Sequence, residues 1–496
     1  MLWLFLLTLG VVIICIRHLL ESWNFPPGPP RYPIIGSLLS IEKYGSHLIL
    51  QATKLIPQFP KMVGFFAGQM RVVIINDFDL AKKMAFSDTF SGRLIGMYTE
   101  TMRGYNRNIG VISTQEFGFG NKGMWSIIAD EAGIIVTDLK TQWDGQDLMV
   151  NQTFNISVLN ILFKIVSGKR YRPDDPEMKE LMRVLALVFK SAYIEEVFPI
   201  LQYTKFTREL YGHSQKQLLT QTFKSMFEQV IQEHEQKLHT KESPEDFIDV
   251  YLQAKEGNDL FTKEDLIGIC MDFFEAGGET VGSTLSWVFL YMSLNPEVQE
   301  KCRKEILQSL GVREPTMDYR GSVPYTEATI MEIQRCSSVA PSGLEHKALE
   351  DTELDGYTIK KDTLLFYNIN AFFMDRDYWG DPEEWLPVDT LLFYNINAFF
   401  MDRDYWGDPE EFRPERFLND DGSKTLKIER FIPFGFGKRV CMGESLAKAE
   451  LFIFTIMILQ NLRIKISANH AKPDPGQYEA GITRSPLPFH VTLEAI

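Results

Sequence analysis

The chain opens on a solid apolar block. Residues 1–16 carry no charge, and Arg17, His18 and Glu21 bring the first ones. A spanning helix needs about 20 residues, so residues 2–20 suffice when Arg17 and His18 snorkel to the surface. No basic leader and no small-residue cleavage site mark the block as a removed signal. Residues 25–30, Phe-Pro-Pro-Gly-Pro-Pro, then read as a stiff hinge. The pattern divides the chain into an anchor (1–22), a hinge (23–36) and one large body (37–496).

Within the body, residues 70–76 alternate and are rich in Val and Ile, which predicts a strand. The Gly-, Asn- and Arg-rich stretch from 90 to 110 reads as loop. Residues 178–237 keep a helical spacing, broken near Pro199. Inside them, 214–237 sets Leu218, Phe223, Met226, Phe227 and Ile231 against Lys and Glu, which predicts a surface helix facing the core. Residues 262–294 predict one long helix. Asn295-Pro-Glu297 starts the next, with Asn as cap, Pro in the first turn and Glu complementing the dipole. Apolar positions at helical spacing follow residue 443 and run to about residue 460, and 476–491 predict a hairpin.

One stretch breaks the ordinary pattern. Residues 362–384 recur letter for letter as 389–411, an offset of 27 residues (389 − 362). Structural repeats diverge when they stack, so perfect identity points to a copying error in the gene or its model. The unit holds a strand candidate at 363–369. Two identical strands compete for one place in a sheet, and the loser becomes a long insertion. The second copy leads directly to Arg416 and is expected to win.

With 45% hydrophobic residues among 496, the chain can bury a large core. A net charge of −15 argues against non-specific binding to nucleic acid. The five cysteines (Cys15, Cys270, Cys302, Cys336, Cys441) are scattered and odd in number, which suits a reducing compartment. The eight histidines form no pair at metal-ligand spacing.

Four motifs carry candidate chemistry. Phe434-Gly-Phe-Gly-Lys-Arg-Val-Cys-Met-Gly443 frames Cys441 with Gly435, Gly437 and Gly443 just before a predicted helix. Helix-terminal amides and Arg439 favour a thiolate there, and a small buried hydrophobe is the plain alternative. Inside the long helix, Ala276-Gly-Gly-Glu-Thr280 places two glycines in a row. Each costs about 1 kcal/mol relative to Ala, which calls for either close helix packing or room for another body. Glu332-Ile-Gln-Arg335 puts opposite charges on one helix face, and Pro414-Glu-Arg-Phe417 adds Arg416. His346 follows Leu344-Glu and reads alone as a surface histidine.

Taken in order, these motifs resemble the cytochrome P-450 family: Phe-x-x-Gly-x-Arg-x-Cys-x-Gly, Ala/Gly-Gly-x-Asp/Glu-Thr and Glu-x-x-Arg are all present. Their tone is closest to animal microsomal members, insect ones among them. The resemblance implies a mainly α fold with small β-sheets and an N-terminal membrane anchor helix. It implies haem b (iron protoporphyrin IX) with Cys441 as axial ligand, thiolate ligation being established for that family. Arg439 and His346 would partner the propionates, and Phe434 would shield the sulfur. Ala276, Glu279 and Thr280 would handle oxygen and protons. Glu332, Arg335 and Arg416 would form a structural network. The activity implied is a monooxygenase acting on an apolar substrate. NADPH electrons would come through a membrane flavoprotein reductase, with cytochrome b5 a second partner. Lys427, Arg430, Lys438, Arg439 and Lys448 would offer the reductase a basic surface. The location implied is the endoplasmic reticulum membrane with the body in the cytosol, where the sequons at Asn151 and Asn155 go unused. Pocket candidates are residues 96–108, 339–343 and 479–483.

The family also places a helix with Trp-x-x-x-Arg after residue 111. Here Val-Ile-Ser-Thr-Gln-Glu-Phe-Gly-Phe-Gly (111–120) skips it, with roughly 20 residues missing near 113–115. Two other readings stay open: a defective, haem-poor product, and a reductase-independent haem isomerase of oxygenated lipids. Intact Glu279 and Thr280 weigh against the second.

Overall fold

A computed structural model describes residues 24–33, 35–37, 39–40, 55, 58–68, 70–92, 124–150, 153–172, 175–190, 213–238, 243–255, 262–341, 346–367, 412–428, 431–480 and 483–496. The predicted anchor, the 94–123 segment and the second copy of the repeat lie outside these residues. Among the described residues no helix is long and apolar enough to cross a membrane.

The chain runs β1 (Met62–Ala67), β2 (Met70–Ile75), α1 (Phe78–Phe86), α2 (Met124–Trp143), β3 (Asp147–Val150), α3 (Asn155–Ser167) and α4 (Pro176–Lys190). It continues through α5 (His213–Lys237), α6 (Phe247–Lys255), α7 (Lys263–Leu294), α8 (Pro296–Ser309) and α9 (Pro324–Ser337). Short strands β4 (His346–Lys347), β5 (Thr352–Leu354), β6 (Tyr357–Ile359) and β7 (Leu364–Tyr367) follow. Then come α10 (Glu444–Asn461), β8 (Leu462–Ile466), β9 (Tyr478–Ala480), β10 (Arg484–Pro486) and β11 (Phe489–Ala495). This is the mainly α body with small sheets that the resemblance implies.

The largest core packs α2, α3, α7, α9 and α10 together, with Trp287, Phe154, Phe163, Phe274 and Phe289 fully buried. The strand at 70–76 and the helix at 262–294 come out within a residue of expectation. Thr262 caps α7, its hydroxyl accepting from the Asp265 amide at 3.1 Å. Asn295 departs from its expected role. It stands before α8, but its side chain donates to the Tyr291 carbonyl at 2.8 Å and so closes the end of α7 instead. On α5, Phe223, Phe227 and Ile231 are buried as expected, whereas Leu218 is exposed.

The four-stranded sheet has the order β1-β2-β7-β4, with β2 and β7 parallel and Val72 opposite Leu364. Its β7 belongs to the first copy of the repeat, which corrects the expectation that the second copy takes this place. Chain closure explains the outcome. β7 follows the β5–β6 hairpin after only Lys360–Thr363, and a short loop closes at lower entropic cost than a long one. The Pro-rich segment lies against β1: the Gly64 amide donates to the Pro27 carbonyl at 2.8 Å, and a Cβ on Gly28 would meet the Gly64 carbonyl oxygen at 1.8 Å.

A close helix contact pairs α3 with α7. A Cβ on Gly277 would lie 2.3 Å from Leu162, on Gly278 2.8 Å from Leu159, and on Gly282 2.1 Å from Asn155. Positions rise on one helix as they fall on the other, so the two run antiparallel. Phe163–Phe274 and Phe154–Phe289 ring pairs, 4.0 and 4.9 Å between centroids, close the two ends of this seam. The paired glycines are therefore explained by helix packing. Gly278→Ala should destabilise the protein by about 1–3 kcal/mol through overpacking. Gly133→Ala, whose Cβ meets only Met457 at 3.8 Å, should be neutral or stabilise by up to about 1 kcal/mol. Urea unfolding of both variants checks the contrast; equal stabilities would remove the packing explanation.

Candidate active site

Cys441 ends a loop closed by its own amide, which donates to the Phe434 carbonyl at 2.9 Å. Gly435 and Gly437 turn that loop with φ of +72° and +76°, a region open to glycine without steric cost. A Cβ on Gly437 would also lie 2.4 Å from the Ala85 carbonyl of α1. Gly443, at φ −82°, needs no such freedom and stands at the N-cap of α10. Among the described cysteines Cys270, Cys302 and Cys336 are buried, and Cys441 is exposed.

The thiol of Cys441 sits above its ordinary pKa. Desolvation of the sulfur by the loop raises it, the Gly443 amide lowers it, and the Glu444 charge raises it. The helix-terminal amide thus acts in the expected direction, and desolvation outweighs it. Arg439 spends two donors on the Ser91 carbonyl, at 3.0 and 2.6 Å. His346 is buried, and its Nδ1 donates to the neighbouring carbonyl of Phe90 at 3.0 Å. The two residues that the resemblance assigns to propionates therefore meet on consecutive carbonyls. The Phe434 ring lies beneath the Lys448 ammonium, 5.6 Å away.

From Leu266 to Ser293, α7 is buried at every position except Ala276, Gly277 and Thr280. These three form an accessible window on a buried helix. The hydroxyl of Thr280 donates to the Ala276 carbonyl at 2.9 Å. Its hydrogen is spent, so towards a ligand it offers lone pairs and acts as an acceptor. Glu279 is buried beside the window. One carboxylate oxygen accepts from the Asn155 amide at 3.0 Å and the other from Ser283 at 3.3 Å. Ser283 in turn contacts the Ser485 hydroxyl of β10 at 2.8 Å. The Arg484 amide, one residue past the predicted pocket segment 479–483, donates at 2.8 Å to the Val339 carbonyl in the predicted segment 339–343. The third, 96–108, lies outside the described residues.

Glu332, Arg335 and Arg416 come together as expected. Arg335 donates twice to Glu332, at 2.6 and 2.7 Å, and Arg416 once at 2.9 Å. The Arg413 amide adds a fourth donor at 3.1 Å. All three side chains are buried. Burial pushes the Glu332 carboxyl up, but the Arg335 and Arg416 charges and their hydrogen bonds outweigh it and hold it below the usual carboxylate range. Burial draws Arg416 down to about 10, against the pull of Glu332.

Of the basic residues expected to dock a reductase, Lys438 pairs with Asp88 and Lys448 with Glu444 at 2.5 Å. Arg430 lies outside the described residues. Among the described residues, His234, Asp246 and Asp249 are close enough to hold a metal ion. They form a helix cap instead. Asp246 accepts the Asp249 amide, Asp249 accepts the Glu245 amide, and His234 faces the Asp246 carboxylate at 2.9 Å and the Val230 carbonyl at 2.8 Å. Both ring nitrogens face acceptors, and the hydrogen bond to the Asp246 carboxylate raises the His234 pKa above its ordinary value, against the effect of burial.

Sequence reasoning missed Asn155, Ser283 and Ser485 as partners in the Glu279 cluster. Glu450, on α10, is fully buried, and burial pushes its carboxyl well above the usual range. For Ser283 and Glu450 the available signal was a polar residue inside an apolar helical run.

Glu332→Gln should cost about 3–5 kcal/mol, because it strands two buried guanidiniums. The contribution of Glu332 is fully present above about pH 4.3, its unfolded value. It fades as pH falls through the lower folded value. Acid unfolding of wild type and variant tests this: a variant matching wild type at pH 7 would remove the network from the stability account.

The model for cytochrome P-450 matches residues 26–388 and again 385–493, the two matches meeting between the copies of the repeat. Farnesoate epoxidase from Bombyx mori is 32% identical, covering 97% of this chain and 96% of its own. Cytochrome P-450 2U1 from Homo sapiens is 30% identical over 98% and 93%, and cytochrome P-450 2B2 from Rattus norvegicus 30% over 99% and 98%. An accessible cysteine in a glycine-turned loop, a windowed long helix and a buried Glu-Arg-Arg network thus accompany similarity along nearly the whole chain, and the chain belongs to the cytochrome P-450 family.

Proposed function

We propose that this protein is a haem-thiolate monooxygenase that inserts one atom of O2 into an apolar organic substrate. The observation that carries the reading is the pairing of two accessible features. Exposed Cys441 leads into α10, and α10 packs on α7. The described part of α7 opens its buried middle only at Ala276, Gly277 and Thr280. Haem b, when bound, supplies reductive activation of O2, with one oxygen atom passing to substrate and the other leaving as water.

The chain's own residues would divide the remaining work. The Cys441 sulfur would ligate iron, and a bound cation would offset the desolvation that raises the thiol pKa. Gly435 and Gly437 would let the loop approach a flat ligand, with Phe434 and Gly443 framing the sulfur. Arg439 and His346 would turn from the Ser91 and Phe90 carbonyls to the propionates. Ala276 would leave room for a ligand at the haem, Thr280 would accept a hydrogen bond from it, and Glu279 would deliver protons. Electrons would come from NADPH through a flavoprotein reductase, with cytochrome b5 as a second donor. Lys427, Lys438 and Lys448 remain candidates for that docking. Residues 1–22 would anchor the body to the endoplasmic reticulum membrane, facing the cytosol. The name of the Bombyx mori relative makes a terpenoid carboxylate the first substrate to try.

A second reading, a haem-poor product, is supported by the skipped segment near 113–115 and the repeat. One spectrum separates the two. Reduced protein under carbon monoxide should show the thiolate-type band, and Cys441→Ala should abolish it. Wild type lacking that band would favour the haem-poor product. Thr280→Ala should raise hydrogen peroxide released per NADPH consumed, and unchanged coupling would remove Thr280 from oxygen handling.

A further inference from the structure

We infer that Ser485, Ser283 and Glu279 form a proton wire into the reaction site, and that Asn155 fixes its inner end. The inference rests on the oxygenase reading above and adds the supply route for its protons. Glu279 is buried and sits next to the accessible window, so water does not reach its carboxylate directly. Its two oxygens are held from different sides. Asn155 on α3 donates to one at 3.0 Å, and Ser283, a turn further along α7, donates to the other at 3.3 Å. The Ser283 hydroxyl lies 2.8 Å from that of Ser485. Ser485 is half-buried on the C-terminal hairpin. The three groups therefore run from the hairpin to the interior of α7 without a break.

Neighbouring serines show what is unusual here. Ser286 and Thr284 donate back to carbonyls one turn earlier on α7, at 3.0 and 2.8 Å. Ser283 instead bridges a carboxylate and another hydroxyl. A hydroxyl can give one proton while it accepts another. A proton arriving from water at Ser485 moves as three transfers: water to the Ser485 oxygen, Ser485 hydrogen to the Ser283 oxygen, and Ser283 hydrogen to the Glu279 carboxylate. Each serine ends with the proton count it began with. The Glu279 carboxylic acid then gives its proton to the reacting oxygen and is regenerated as carboxylate. The Asn155 amide nitrogen donates but does not accept, so it cannot pass a proton on as a hydroxyl does. It donates to the carboxylate and fixes its direction, and Gly282 makes this possible, since any Cβ there would lie 2.1 Å from the Asn155 side-chain oxygen. Asn155 and the serines act through Glu279 and are positioning residues.

The test uses the full-length haem-loaded protein with its reductase. Ser283→Ala and Ser485→Ala should each lower product formed per NADPH by roughly tenfold, less than the about 10²–10⁴-fold that a general acid itself contributes. In a wire the double variant should be no worse than either single one. Ser283→Thr, which keeps the hydroxyl, should restore coupling. A readout free of turnover accompanies it: thermal unfolding of the Ser283/Ser485 pair as a double-mutant cycle should be non-additive, as for residues in contact. If Glu279→Gln uncouples the reaction while the serine variants stay coupled, the wire falls and the role of Glu279 stands. Should Glu279→Gln itself leave coupling intact, both fall. Additive unfolding in the cycle, or effects that sum across the two serines, would also overturn the wire.

Discussion

A side chain at Gly278 would drive its Cβ to 2.8 Å from Leu159, and one at Gly282 would strike Asn155. The close antiparallel seam of α3 and α7 is the contact on which the site depends. Three small positions on α7 let α3 approach until Leu162, Leu159 and Asn155 touch its backbone face. The seam fixes the rotation of α7 about its axis. With the glycine face closed against α3, Glu279 is turned onto Asn155, and Ala276 and Thr280 are left at the accessible edge. Two glycines cost about 1 kcal/mol each in helix propensity. The burial of Leu159, Leu162 and the flanking Phe pairs offsets it, at about 1.5–3 kcal/mol for each large apolar side chain.

The Glu332 network performs a matching task at the other end of the core. Arg335 lies on α9, beside Glu332, whereas Arg416 lies in the 3-10 turn Pro414–Phe417, beyond the repeat. One carboxylate with four donors therefore ties the segment that leads to the Cys441 loop back onto the helical core. Desolvating three charges is expensive, and the pairing is favourable only because each charge finds its partner with good geometry. The network also tolerates insertion. Whatever course residues 368–411 take, the chain returns to Glu332 at Arg413.

Much of this was legible in the sequence, and the exceptions have physical causes. The long helix, the strand at 70–76 and the Glu-x-x-Arg contact follow from spacing, which is a local property. The purpose of Gly277 and Gly278 was not legible, because packing and ligand room leave the same two-glycine signature. Only the partner on α3, more than a hundred residues earlier, separates them. Alternation could not choose between the two copies of the repeat, since their patterns are identical; the short connection from β6 decides. Arg439 was read as charge for the sulfur, and nothing local announces the Phe90 and Ser91 carbonyls that attract it and His346. Asn155 was read only as part of an unused sequon, and its burial against Glu279 is purely tertiary.

Polar groups inside α7 must be satisfied without water, because an unpaired buried polar group costs free energy comparable to the hydrogen bond it lacks. The helix solves this in two ways. Thr280, Thr284 and Ser286 each return their hydrogen to a carbonyl four residues back and need nothing from outside. Glu279 cannot do the same, since a carboxylate can only accept. Its donors have to come from other elements or from a serine that forgoes the local bond. Asn155 from α3 and Ser283 meet that need, and Ser283 then draws Ser485 of β10 into contact. The requirement to satisfy one buried acid thus connects the glycine seam on one side of α7 to the C-terminal hairpin on the other. Packing at the seam and polar chemistry at the site are therefore set by the same register of the same helix.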